Sequence, residues 1–155
     1  MMQKNNNFDD LFFSPLLPPH IDQMVMIEQE CFSVPWSREA LMEELDNPCA
    51  HYVVCTDPAG NVLGYIGSRI VLDSADITNV AVRPQYRRQG IGYELVNRML
   101  EEMILRGVSS VLLEVRESNL PAQNCYARAG FIPVGRRKGY YDLPKEDALL
   151  MGRQL

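Results

Sequence analysis

Apolar and polar positions change their period several times along the chain, and each change marks an element. Residues 11–17 read as a short strand that Pro18 and Pro19 end. Ile21, Met24, Val25, Ile27 and the run to Phe32 have helical spacing, which Val34-Pro35-Trp36 breaks. Ser37 is placed to cap a second helix through about Leu45, before Asn47-Pro48 stops it. Residues 50–56 and 62–72 read as strands joined through Asp57-Pro58-Ala59-Gly60-Asn61, with residues 75–82 as a third partner.

In the second half, strand and helix periods alternate. Ile91, Leu95, Val96, Met99, Leu100, Met103 and Ile104 form one helical stripe that Gly107 is placed to close. Residues 110–115 read as a strand, 120–129 as a helix ended by Gly130, and 131–135 and 148–154 as strands. The order is β-α-α-β-β-β-α-β-α-β-β. That is an α/β (α+β) chain with a mixed sheet and helices on its faces, not a doubly wound dinucleotide fold. No internal repeat is visible. Residues 11–155 are expected to form a single domain, behind a polar head, residues 1–10, expected to be disordered.

Composition narrows this picture by exclusion. The chain has 155 residues, 46% hydrophobic and 23% charged, as in an ordinary soluble domain. Its apolar runs fall short of a membrane span, and MMQKNNNFDD has neither a basic nor an apolar leader region, so a cytoplasmic location is expected. Cys31, Cys49, Cys55 and Cys125 make no C-x-x-C pair, and only His20 and His51 could assist them. No metal site and no disulfide framework are therefore expected. Cys125 reads better as a small packing residue than as a nucleophile. The net charge of −5 divides unevenly: residues 1–76 carry a net of −9 and residues 77–155 a net of +4. A basic half suits an anionic ligand and an acidic half a cationic partner, although both could simply be solvated faces. There is no footprint for direct nucleic-acid binding.

The stretch VAVRPQYRRQGIGY, residues 80–93, passes from a strand through an Arg- and Gly-rich loop into a helix. Unpaired N–H groups and the macrodipole at a helix start favour a phosphate, and Gly90 and Gly92 let it approach closely. A Walker loop is excluded, because Lys and Ser or Thr do not follow the last glycine. The dinucleotide fingerprint fails at Leu95, where a third glycine is needed. What remains is R-x-x-G-x-G, formed by Arg87, Gly90 and Gly92.

Downstream, Glu114 lies in the apolar run Val111-Leu112-Leu113-Glu114-Val115, which is expected to be a strand covered on both faces. Burial there would raise the carboxyl pKa and suit a general base, whereas simple alternation would turn Glu114 to solvent beside Arg116. Tyr126, on the following helix, is equally a packing residue or a group returned to the same end of the sheet. Asn119 is explained by helix capping alone.

Together, IEQECFSVPWS, NVAVRPQYRRQGIG, LLEVRESNLPAQNCYARAGF and RKGYYDLPKEDALLM resemble the GNAT family of acetyl-CoA-dependent N-acetyltransferases, over nearly the whole chain from about Leu16. The Pro-Trp-Ser, Leu-Glu-Val-Arg and Tyr-Tyr segments are most similar to the branch that acetylates ribosomal-protein N-termini. The resemblance implies a seven-stranded, mostly antiparallel sheet and acetyl-CoA as co-substrate, with no metal. It implies that the backbone of Val80, Ala81 and Val82 pairs with the pantetheine arm, and that Arg88, Gln89, Gly90, Ile91, Gly92 and Tyr93 hold the pyrophosphate. It further implies Asn119 as another cofactor contact, Glu114 as general base and Tyr126 as general acid. Trp36, Tyr140 and Tyr141 become candidates for lining a peptide cleft. The implied partner is the N-terminal α-amine of a protein, a basic ribosomal one, with no nucleic acid and no membrane. Acetylation of lysine or a small amine, or a non-catalytic acetyl-CoA-binding module, are the competing readings. The polar head has no counterpart in the family pattern.

Overall fold

The computed structural model describes residues 8–155, and most of the expected polar head, residues 1–7, lies outside the described residues. The strands are β1 (Phe12–Ser14), β2 (Ala50–Thr56), β3 (Val62–Val71), β4 (Ser74–Val82), β5 (Ser110–Arg116), β6 (Ile132–Tyr141) and β7 (Glu146–Gln154). The helices are α1 (Ile21–Cys31), α2 (Arg38–Asp46), α3 (Ile91–Leu105) and α4 (Leu120–Arg128). The order along the chain is the one the hydrophobic pattern predicts. The seven strands form one sheet in the order β1-β2-β3-β4-β5-β7-β6. Every neighbouring pair is antiparallel except β4 and β5.

Local signals set most boundaries. Ser37 accepts the Ala40 N–H at 3.1 Å and starts α2, and Asn119 accepts the Ala122 N–H at 3.2 Å and starts α4. Gly107, at φ +79°, lets the chain leave α3 in a left-handed turn. Several expectations are corrected. β1 is shorter than residues 11–17, because the chain turns through Pro15 into a 3-10 turn at Pro18–His20. β6 runs six residues beyond 135. Its exposed edge position and two register shifts leave no hydrophobic alternation to read. Ile104 is 54% exposed, and Val108 packs in the core below α3, its N–H bonded to the Met103 carbonyl.

The core is split by the sheet. Met24, Ile27 and Leu41 of α1 and α2 pack on Val54, Tyr65 and Ala81, which belong to β2, β3 and β4. On the other face, Leu95, Met99 and Met103 of α3 pack with Ile66, Leu113 and Met151. Each fully buried aliphatic side chain contributes about 1.5–3 kcal/mol of transfer free energy. Because α1 and α2 reach only as far as β4, one face of β5 is left without a helix. Val111, Leu113 and Val115 are buried, whereas Leu112 is 40% exposed and Glu114 stands half-buried on the uncovered face. The expectation of a strand covered on both faces is therefore wrong.

The second feature that shapes the site is a divergence. β4 pairs with β5 only over Ser74–Asp76 and Ser110–Leu112, after which β4 continues beside β3 and β5 beside β7. From Ile77 to Val82, β4 turns toward β5 a backbone edge that β5 does not pair.

Near this edge, Gly67 of β3 stands across from Asn79 of β4, and a Cβ there would lie 2.5 Å from Cζ of Tyr52 and against the Asn79 side chain. Gly67→Ala is expected to destabilise the fold by about 1–3 kcal/mol, the usual cost of overpacking a filled core. Urea denaturation should show the midpoint falling with little change in slope.

Candidate active site

A cleft of about 670 Å³ opens where β4 leaves β5. Its floor includes Asn79 and Val80 of β4 and Glu114 and Arg116 of β5; Cys31 to Trp36 form one wall and the turn after Tyr141 the other. Asn119 and Tyr126 reach it from α4. The structure thus gathers Trp36, Val80, Glu114, Asn119, Tyr126, Tyr140 and Tyr141, which are dispersed in sequence.

Glu114 projects from the uncovered face of β5, with Oε1 3.1 Å from Nε of Arg137 on β6. Tyr126 comes from the opposite, α4 side of the sheet and is 8% exposed, its ring edge-on to Phe131 at 6.1 Å. Burial drives its hydroxyl well above the ordinary tyrosine range, so it stays protonated at any physiological pH. Only the gap between β4 and β5 lets groups from both faces line one cavity. Tyr140 and Tyr141 form an edge-to-face pair with centroids 4.9 Å apart, and burial pushes the Tyr141 hydroxyl up to about 12.

The Arg- and Gly-rich loop lies at the far end of β4, away from the cleft lining. Arg88 and Gly90 both have positive φ, +63° and +84°, which turns successive backbone groups into the start of α3. The first helical bond is donated by Glu94 to Gly90, so the N–H groups of Ile91, Gly92 and Tyr93 precede the ladder. This geometry fits a pyrophosphate. It also limits what each residue can offer. Ile91 and Ala81 point into the core, at 3% and 4% exposure, leaving only their backbone for a ligand. Tyr93 lies beneath the Arg128 guanidinium, 4.4 Å from the ring centroid.

Residues 21–131 match the family described as Acetyltransferase (GNAT) family. The chain belongs to it. A Bacillus subtilis (strain 168) protein provisionally named a ribosomal protein bS18-alanine N-acetyltransferase is 42% identical over 132 residues, covering 84% of this chain and 87% of its own. The Haemophilus ducreyi ribosomal protein bS18-alanine N-acetyltransferase is 33% identical, covering 86% and 93%. The crystal structure of the Escherichia coli ribosomal-protein-S18-alanine N-acetyltransferase superposes with a TM-score of 0.86 at 31% identity, covering 93% of each chain. No helix among the described residues is long and apolar enough to cross a membrane, and no group of three metal-ligating side chains occurs among them.

Within this GNAT scaffold two cleft residues escape sequence reasoning. Arg116 ties the β6–β7 turn down: it donates to the carbonyls of Pro144 at 2.9 Å and Asp142 at 3.0 Å, pairs with Glu146 at 3.3 Å, and stacks 4.4 Å over the Tyr141 ring. Its partners are largely main-chain atoms more than twenty residues away, which no pattern displays. Glu28 is 1% exposed, and neither carboxylate oxygen makes a well-formed hydrogen bond. One signal did exist: an acid on the buried stripe of α1 formed by Ile21, Met24 and Ile27.

Burial raises the Glu28 pKa above its ordinary 4.5, an effect only partly opposed by the neighbouring Tyr65, Asn79 and the Trp36 backbone. A carboxyl whose folded pKa is raised gives stability below its unfolded pKa and loses it as pH climbs through the folded value. The Tm of the wild type relative to Glu28→Gln should therefore fall as pH rises from about 4 toward neutrality. Paired thermal melts across that range check it, and a flat difference would contradict the buried, unpaired carboxyl.

Proposed function

We propose that this GNAT enzyme transfers an acetyl group from acetyl-CoA to the N-terminal α-amine of a protein, the N-terminal alanine of ribosomal protein bS18 being the substrate of its relatives. The observation that carries the reading is the placing of Glu114 and Tyr126 in one cleft beside the unpaired edge of β4. Residues 11–155 constitute the catalytic domain, and the reaction takes place in the cytoplasm, where nascent and ribosomal proteins are found.

Acetyl-CoA supplies the thioester that is aminolysed. On the chain's side, Val80, Ala81 and Val82 offer backbone groups to the pantetheine arm as an added strand would. Arg88, Gln89, Gly90, Ile91, Gly92 and Tyr93 hold the pyrophosphate at the start of α3, and Asn119 contacts the cofactor at the start of α4. Glu114 takes the proton that the amine loses as it attacks. An α-amine with a pKa of about 7.7–8.0 is within reach of such a base, whereas lysine at about 10.4 demands more. Tyr126, kept neutral by burial, gives its proton to the departing thiolate. Arg137 lies against Glu114, its Nε 3.1 Å from Oε1, and steadies the carboxylate. The cleft also suits a cationic acceptor: Glu28, Glu114 and Asp142 line it, and its Arg116 is committed to the turn.

The deciding experiment offers acetyl-CoA with a peptide panel in which α-amines and lysines are blocked in turn, read by mass spectrometry. Acetyl groups are expected on the free α-amine of alanine-initiated peptides; their appearance on internal lysines alone would overturn the assignment. Glu114→Gln and Tyr126→Phe should each lower kcat by about 10²–10⁴-fold, the range of a general acid or base, with acetyl-CoA affinity nearly unchanged. Arg116→Ala should release the β6–β7 turn and raise the peptide KM more than that of acetyl-CoA, measured by initial rates against each substrate.

A further inference from the structure

Beneath the cleft lies a group of polar atoms that the acetyl-transfer mechanism above does not use. Both carboxylate oxygens of Glu28, the Tyr65 hydroxyl and Nδ2 of Asn79 are buried and make no well-formed hydrogen bond, although Tyr65, Asn79 and the Trp36 backbone lie close enough to Glu28 to favour its charged form. These side chains come from α1, β3 and β4, and Glu28 and Asn79 line the cleft itself. Their placing is specified. Asn79 is pressed against Gly67, and its Oδ1 is held by the Thr78 hydroxyl at 2.9 Å, which leaves Nδ2 facing away from that bond. A second buried acid, Glu44, is treated differently: it accepts from the Tyr52 hydroxyl at 3.3 Å and lies 3.6 Å from Arg69. One buried carboxyl thus has an ion pair and a well-formed hydrogen bond, and the other has neither.

An unpaired buried donor or acceptor costs about 1–3 kcal/mol, and more when charged, so three such groups held together are a standing cost unless something fills their valences. An ammonium does so well. Two of its three N–H donors match a Glu28 oxygen and the Tyr65 oxygen, the third stays free to face Glu114, and its charge offsets the desolvation of the carboxylate. Asn79 then donates through Nδ2, to Glu28 or to a carbonyl of the incoming peptide.

We propose that Glu28, Tyr65 and Asn79 form the receptor for the acceptor's α-ammonium, the place where a free N-terminus is distinguished from a blocked one before Glu114 acts. This inference rests on the α-amine reading and assigns Glu28 a role in selecting the substrate, separate from the proton transfer at Glu114. The reaction is unchanged: the ammonium's proton still leaves to Glu114 when the amine attacks.

The test compares two short peptides on the enzyme with coenzyme A bound: one begins with alanine, and in the other propionyl replaces that residue, deleting only the amine. Calorimetry at pH 7 should show the wild type preferring the free amine by about 10–100-fold, the worth of a charge-assisted hydrogen bond. In Glu28→Gln this preference should shrink to about threefold or less while the propionyl peptide binds as before, and Tyr65→Phe should reduce it in the same direction. An undiminished preference in both variants overturns the proposal. So does an equal weakening of both peptides, which would mark a packing role. Should Glu28→Gln fail to fold, Tyr65→Phe decides by the same comparison. Absence of α-amine acetylation by the wild type would instead remove the functional reading on which the receptor rests.

Discussion

The divergence of β4 from β5 is the constraint on which the rest of this molecule depends. Three residues of parallel pairing hold the two strands together, and beyond them each strand takes its hydrogen bonds from another neighbour. The sheet gives up a few backbone bonds and gains an interior edge that no neighbouring strand pairs, although the Val82 carbonyl accepts from Arg87 Nε at 3.0 Å. It also gains a passage between its two faces. Without that passage the buried phenol of Tyr126 and the half-exposed carboxylate of Glu114 would lie on opposite sides of a closed sheet.

Helix placement completes what the divergence begins. α1 and α2 bury β2 to β4 and stop, so the outer face of β5 has no helical cover. What closes over it is a turn, held by Arg116 through two carbonyls, one carboxylate and a tyrosine ring. A turn secured by a few polar contacts is easier to open than a packed helix.

Much of this was legible in the chain. The alternation of periods is enough to give the element order, and the residues that cap α2 and α4 are the ones local chemistry nominates. Gly107 takes up the left-handed geometry that its position after α3 suggests. The misreadings have a common cause: the pattern reports burial only where an element has a neighbour on a given side. In β5 an apolar run suggested two covered faces, yet Leu112 is exposed because no helix reaches it. In β6 an exposed edge erased the pattern altogether. Among site residues, Glu114 and Tyr126 were suggested by family resemblance more than by their own surroundings. Arg116 was hidden because its partners are carbonyls brought close only by folding, and Glu28 because an acid on an apolar stripe reads as an irregularity until its missing partners are seen.

The outer border of the sheet has a consequence of another kind. β6 ends the sheet on one side, exposed along most of its length, and such a strand invites pairing with another chain. It carries Arg136, Arg137 and Lys138 in succession, two breaks in register and a proline, each of which discourages a second strand from docking. The opposite border, β1, is only three residues long. A protein that keeps an unpaired edge within its sheet thus carries outer margins that discourage pairing with copies of itself, and one of those margins is the strand that supplies Arg137 to Glu114.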